Sequence, residues 1–282
     1  MLCKTAVARK LLRHAWRAGI SITDSHMMQI DAMKHLSASV DACFPSLKIN
    51  EGRRSSTCAF FDSFDTKEAS NVLGHHDGIM LSCVDRFYEH KEFLGPENRH
   101  YTWRSGVKHD LAKVMELRKV DGGLRNGHDG EFVEIEGLCV FPLMKSSDLG
   151  NGRVKETPLN VLAPQRSIGQ STDYIRSLAP LTWQYLEKYA EALDGRRSAI
   201  YRNKPRFSVF GVGDYTFTDW KVVISGFYKR LDSQVVGSIE GKLVVFDDTI
   251  YFLSTTTQAE ATFLADLLNS DPCQRFLESM VF

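Results

Sequence analysis

The 282-residue chain carries 35 basic and 35 acidic side chains, giving a formal net charge of zero, and 43% of its residues are hydrophobic. This composition excludes an intrinsically disordered tail, a collagen-like repeat and a small disulfide scaffold; no apolar run reaches the roughly 18 residues that a membrane span needs. Net neutrality also argues against binding polyanions over the whole surface, and the length suggests one or two domains at roughly 150 residues each.

At the start of the chain, Lys4, Arg9, Lys10, Arg13 and Arg17 precede the first acid, Asp24. Val7, Leu11 and Ala15 recur at i+4 spacing there, which predicts an amphipathic helix closed by Gly19. Such basic helices also serve as transit peptides, but an ordinary surface helix explains the pattern. HMMQID, SVDACFPSLKI and STCAFFDSF then read as three strands. One helix and about three strands look like the closing edge of an α/β sheet. From Asp65 to about Pro96 polar residues and glycine increase, and helix signals are confined to Val84 through Phe93. The expected domain boundary lies between 65 and 100, with 1–65 as one domain and 66–282 as the other.

Further on, EFVEIEGLCVFP (Glu131 to Pro142) predicts a strand. Leu178 to Leu193 predicts the clearest long helix, with Pro180 in its first turn and Gly195 past its end. FSVFGVGDYTF, KVVISGFYKR and KLVVFDDTIYFLS are β-rich, while Ala259–Leu268 and Cys273–Val281 are helical, separated by Asn269 and Pro272. The fold class is α/β followed by a mixed α+β region.

Cys3, Cys43, Cys58, Cys83, Cys139 and Cys273 form no C-x-x-C pair, which argues against a zinc ribbon and a thioredoxin motif. Most sit in apolar strings as small hydrophobes, the usage of a reducing cytoplasm. His75-His76 falls in a Gly/Asp-rich loop without companion ligands, so no metal is expected there. Gly211-Val212-Gly213 follows an apolar strand, but Thr216 replaces the third glycine of a dinucleotide loop and no helix pattern follows. A tight turn between strands is the expectation. Asp219, Glu240 and Lys242 have the residue order of a Mg²⁺-dependent nuclease, at a spacing loose enough to arise by chance.

The distribution of charge is more informative than its sum. Between Arg166 and Arg230 eleven Lys/Arg face six acids, a local excess of +5. RRSAIYRNKPR (196–206) holds five cations, one tyrosine and no acid. Cations interleaved with aromatics suit phosphate contacts and base stacking. WRSGVKH (103–109) and the stretch from Tyr215 to Lys221 supply two further groups.

MLCKTAVARKLL, IDAMKHLSASVDACF, RSGVKHDLAKVMEL, FPLMKSSDL, APQRSIGQST, LAPLTWQYLEKY, RRSAIYRNKPRFSVFGVGDYTFTDWKVVISGFYK and FDDTIYFLS follow one another in this order. Together they resemble the carboxy-terminal half of bacterial adenine-N6 DNA methyltransferases of restriction–modification systems. The resemblance implies the closing edge of a class I, Rossmann-like methyltransferase sheet followed by a mixed α/β target recognition domain. It makes the basic first helix the one that follows the family's catalytic strand. That family's Asn/Asp-Pro-Pro-aromatic motif and glycine-rich cofactor loop are not present, and no Pro-Pro occurs in the sequence. The expectation is therefore a fragment or split-gene product that has no catalytic residue and binds no cofactor itself. S-adenosylmethionine would serve the complete enzyme, with the catalytic half outside this chain.

An enzyme that acts on a base extrudes it from the stack, and a separate module holds the duplex and reads the grooves. For double-stranded DNA the expected contacts are Arg104, Lys108 and His109 with Arg196, Arg197, Arg202, Lys204 and Arg206. Tyr201, Tyr215 and Trp220 are candidate stackers, and Lys145, Arg166 and Lys221 are additional cations. The competing readings are the nuclease above and a non-enzymatic interaction remnant.

Overall fold

A computed structural model describes residues 2–50, 52–95, 100–226 and 231–281. The chain forms two compact units, one comprising Met1–Pro96 with Ser270–Phe282 and the other Glu97–Asn269.

The first unit is built on a six-stranded sheet in the order Cys3–Lys4, Ala42–Ile49, Ile22–Ile30, Thr57–Phe61, Asn71–His76, Ile79–Leu81. All its pairings are antiparallel except that of Ile22–Ile30 with Thr57–Phe61. The basic helix forms over Thr5–Arg17, and Gly19 closes it in the left-handed conformation at φ 69°. Its buried stripe is Thr5, Ala8, Leu12 and Ala15, packed toward Ile22, Met27, Cys43, Cys58 and Leu73. Of the expected Val7–Leu11–Ala15 stripe Ala15 is buried, whereas Val7 and Leu11 remain 49% and 41% exposed and Ala8 and Leu12, one residue on, face the core. The small side chains of Ala8 and Ala15 let the helix backbone lie close on the sheet, and this close seating decides which face is buried.

The stretch expected to be a polar loop holds a hairpin. Asp77 and Gly78 both take positive φ (45° and 85°), the conformation of a two-residue turn, between Asn71–His76 and Ile79–Leu81. His75 and His76 therefore end a strand. His76 packs on Phe87 at 5.2 Å between centroids and lies 3.3 Å from the Tyr88 hydroxyl. Burial, then Arg17 and Arg13, push the pKa of His75 down. Among the described residues no three His, Cys, Asp or Glu side chains gather to hold a metal ion. The last helix, Asp271–Glu278, belongs to this unit through Phe276, stacked on Phe87 at 5.7 Å, and through the Arg275–Glu89 ion pair at 2.8 Å.

The second unit contains two sheets. One runs Phe132–Val133, Gly123–Asn126, Glu116–Val120, Leu159–Leu162, Val140–Met144, Val245–Phe246, antiparallel up to its last, parallel pair. The other runs Gln234–Val236, Trp220–Ser225, Ile250–Thr255, Arg104–Ser105, antiparallel throughout. The helix Gln258–Asn269 covers Val222 and Leu253 of this second sheet with Ala261, Leu264 and Ala265. The architecture is mixed α/β with several sheets.

Three expected elements are subdivided. The 131–142 strand is interrupted at Glu136, whose carboxylate accepts the Leu181 and Thr182 N–H groups at 2.8 Å each. Those are first-turn donors of the helix Pro180–Lys188, which have no partner within the helix. Burial raises the Glu136 carboxyl, but the bonds from Leu181 and Thr182 outweigh it and bring its pKa down to about 2. The 178–193 helix is three pieces, Ile175–Leu178, Pro180–Lys188 and Ala190–Asp194. Pro180 starts the second. The break at Tyr189 places its hydroxyl 2.5 Å from Asp129 and 2.9 Å from the Asn126 amide. FSVFGVGDYTF contains one bridge, Phe210 to Lys108, and the 3-10 turn Asp214–Phe217 in place of a continuous strand. KVVISG forms the strand Trp220–Ser225, and the FYKR that follows lies outside the described residues.

Candidate nucleic-acid interface

The basic loop after Asp194 is pinned at both ends. Arg196 turns inward, donating to the carbonyls of Leu193, His109 and Ser208 at 2.8–3.0 Å, and its guanidinium lies 3.7 Å from the centre of the Tyr201 ring. Tyr201 in turn donates to the Lys108 carbonyl at 3.3 Å and meets Phe210 edge-on. At the far end Arg206 grips Asp194 through two nitrogens, at 2.8 and 3.2 Å, and its carbonyl accepts the Thr172 hydroxyl. Phe207 is fully buried against Trp183. Between these anchors Arg197, Arg202 and Lys204 are exposed, with no carboxylate partner among the described residues. Fixed ends with three exposed cations between them make a locally positive surface.

Segment 104–109 lies beside this loop, since Arg196 and Tyr201 bond its carbonyls. Arg104 is exposed and rests over the Tyr215 ring at 4.8 Å; Arg166, also exposed, rests over Phe217 at 4.0 Å and Phe141 at 4.9 Å. The turn Asp214–Phe217 thus supplies the aromatic seats for two arginines. A guanidinium that meets a ring through its π face does not spend its N–H donors on that contact.

Other candidates have structural employment. His109 is 7% exposed; its Nδ1 accepts the Leu111 N–H, which leaves Nε2–H to face Glu116 at 3.2 Å. Lys145 reaches the same carboxylate at 2.6 Å. Lys108 is shared between Asp110 (3.4 Å) and Asp248 (3.5 Å). Tyr215 is half-buried in a core cluster near Phe252. Lys221, at 2% exposure, donates to the Thr218 carbonyl at 2.6 Å. Charge pattern alone does not separate these inward cations from the outward ones.

Lys221 carries a pH dependence. Burial, partly opposed by Asp219, pulls its pKa down to about 8, against an unfolded value near 10.4. Between those values the unfolded chain holds a proton that the folded chain has released, so this group makes stability rise with pH across about 8–10.4 and leaves it flat below. The gain of the native chain over Lys221→Met should reach about 3 kcal/mol over that window, read by urea unfolding from pH 7 to 10.5. A difference independent of pH would show that the amine is not desolvated.

The nuclease trio does not assemble as a metal site. Glu240 and Gly241 form a tight turn at φ 51° and 73°, Glu240 pairs with Lys119 at 2.5 Å, and Lys242 lies 3.4 Å from the Val140 carbonyl. Gly211 does not form an open phosphate loop either: a Cβ there would lie 2.4 Å from the Gly106 carbonyl, and one at Gly213 would lie 2.5 Å from the Tyr215 ring. Sequence reading also misses Arg118 and Arg125, exposed on adjacent strands; the signal is Asp121-Gly122, a two-residue hairpin turn between Val120 and Gly123.

Along its entire length the chain is homologous to a type II methyltransferase. That relative is "Type II methyltransferase M.NspV" of Nostoc sp. (strain ATCC 29411 / PCC 7524), 41% identical over 282 residues, which is all of this chain and 58% of the relative. The match falls on the relative's carboxy-terminal part, and the chain spans less than two thirds of that protein's length. Among solved structures, the type IIL restriction-modification enzyme MmeI in complex with DNA aligns with 90% of this chain and 32% of its own, at 12% identity and a TM-score of 0.46, a likeness too slight to define a shared fold. No protein-family model matches the chain.

Proposed function

We propose that the chain is the DNA-recognition region of a site-specific adenine-N6 DNA methyltransferase of a restriction–modification system. The observation that carries this reading is the 41% identity to a type II methyltransferase over every part of the chain. The pinned loop with Arg197, Arg202 and Lys204 and the ring-seated Arg104 and Arg166 support it physically, because they offer outward positive charge on a chain of zero net charge. In this reading the second unit is the target recognition domain, the first is the end of the methyltransferase domain, and the work is done on chromosomal DNA in the bacterial cytoplasm.

The methyl transfer belongs to a catalytic part outside this chain, where S-adenosylmethionine supplies the methyl group. The Gly211–Gly213 segment does not fit that cofactor, because Gly106 and Tyr215 close it and leave no open backbone cradle there. What the chain contributes is the grip on the duplex that holds the target site while a base is extruded elsewhere.

Reversing two of the free loop cations tests this. Arg202→Glu with Lys204→Glu should weaken duplex binding by about tenfold or more near 0.1 M salt and lower the slope of log K against log salt by about 2, since each phosphate contact contributes roughly 0.9. The measurement is a fluorescence-anisotropy titration at several salt concentrations. Unchanged affinity would remove the loop from the interface, and a native chain that binds no duplex at low salt would overturn the reading.

A further inference from the structure

The six-stranded sheet of the second unit carries a second cluster of exposed cations. Register places Leu159 opposite Arg118, Arg118 opposite Arg125, and Arg125 opposite Phe132, so these four side chains form one row across four neighbouring strands. Residues directly opposite on antiparallel strands share a face with Cβ atoms about 4.5–5.5 Å apart, and two like charges so placed repel. Neither arginine has a carboxylate partner among the described residues. The Arg125 guanidinium carbon sits over the Phe132 ring, 4.2 Å from its centroid, a contact that uses the π face and no N–H donor.

Leu159, Arg118 and Arg125 of this row line a cleft of about 380 Å³ that also includes Lys113, Asn126 and Gly127. One carboxylate, Glu116, lines it too, but its charge is met by Lys145 and it accepts from His109. The cleft therefore offers three uncommitted cations converging from two strands and the short helix Ala112–Met115. Leu159 and Val120 supply apolar surface in its lining. Two like charges on one face repel mildly, and a tetrahedral anion set between them would relieve that repulsion by accepting charge-assisted hydrogen bonds from both.

We propose that the cleft of Lys113, Arg118 and Arg125 binds a backbone phosphate of duplex DNA, as a clamp additional to the 196–206 loop. This inference rests on the recognition reading above. The phosphate lies between the two arginines, Lys113 adds a third positive charge, and Leu159 meets the adjoining sugar. The site positions the duplex and carries no base preference of its own.

The test is the double variant Arg118→Gln, Arg125→Gln in the 282-residue chain. Duplex affinity should fall by about tenfold near 0.1 M salt, with the slope of log K against log salt reduced by about 1–2, and the loss should be the same for different duplex sequences. Without DNA the variant should melt close to the native chain, because relief of the like-charge pair offsets loss of the Arg125–Phe132 contact; a purely structural role would lower the melting temperature by several degrees. Native-like affinity and slope in the variant, with the native chain binding duplex, overturn this inference and leave the recognition reading standing. A native chain that binds no duplex overturns both. If, in that last case, millimolar inorganic phosphate raises the melting temperature of the native chain and not of the variant, the cleft belongs to a small phosphate ligand and not to DNA.

Discussion

Replacing Gly211 with alanine is expected to lower the unfolding free energy by about 3–5 kcal/mol, among the largest effects of any single methyl group in this chain. Two costs combine. Gly211 sits at φ +70°, where an L side chain costs roughly 1–2 kcal/mol. A Cβ there would also approach the Gly106 carbonyl oxygen to 2.4 Å, and that oxygen is backbone with no rotamer to relieve it. Gly106 is equally confined, because its own Cβ would meet the Asp247 and Phe246 carbonyls at 2.1 and 2.4 Å. Three chain segments cross here. Val107 donates to Phe246 at 2.6 Å, and Lys108 and Phe210 exchange backbone bonds at 2.8 and 2.9 Å. Gly152 is the control, since it has φ +68° and nothing within 4 Å of its Cβ direction. Gly152→Ala should cost only the conformational part, about 1–2 kcal/mol. Urea unfolding of the two variants separates backbone conformation from close approach. Equal losses would mean that the crossing is looser than its distances imply.

The second large effect is at Glu116. Its carboxylate is taken by Lys145 at 2.6 Å and faces His109 at 3.2 Å, and its side chain is 11% exposed. Burial alone pushes this carboxyl up, but hydrogen bonds from His109 and Lys145, with the Lys145 charge, outweigh it and hold the group below the ordinary carboxylate range. Glu116→Ala leaves an ammonium and a ring N–H facing no acceptor, so a loss of about 3 kcal/mol is expected, the low end for a broken buried pair because Lys145 is 30% exposed. The sign of the pH dependence follows from the lowered value. The advantage of the native chain is complete above about pH 4.5 and is lost as pH falls through and below that point, toward the folded-state value. Thermal unfolding of both chains between pH 3 and 7 checks this. Curves separated by the same amount at pH 3 as at pH 7 would rule out an ionised Glu116 as the source.

Much of the architecture was legible where one local signal dominated. The basic helix and the strands Ala42–Ile49, Thr57–Phe61 and Ile250–Thr255 fall where periodicity and β-rich composition place them. Periodicity failed where a side chain from elsewhere in the fold intervened. Glu136 leaves its strand to cap a helix 45 residues away, and Tyr189 ends a helix so that its hydroxyl can reach Asp129. The hairpin at Asp77-Gly78 was hidden for a different reason: glycine and aspartate read as loop unless the turn type they permit is considered. At the candidate interface, residue type marked the cations but could not tell which way each side chain points. Arg196 and Arg197 are neighbours in one basic run, yet the first is spent on three carbonyls and the second faces solvent. Arg118 and Arg125 stand apart in sequence and become a pair only through strand register.

The first unit is completed by a helix that lies 173 residues beyond its main segment, with Phe276 closing on Phe87 and the Ser82 N–H donating to the Ser279 carbonyl. During synthesis, therefore, residues 97–269 leave the ribosome and are free to fold before the core around Leu81 and Phe87 has its last aromatic partner. Until then Phe87 and its neighbours are held in a partly uncovered state. A chain truncated after Asn269 and released would hold a complete second unit beside a first unit lacking Phe276, and proteolysis of it should cut near Phe87 in preference to the strands of the second unit.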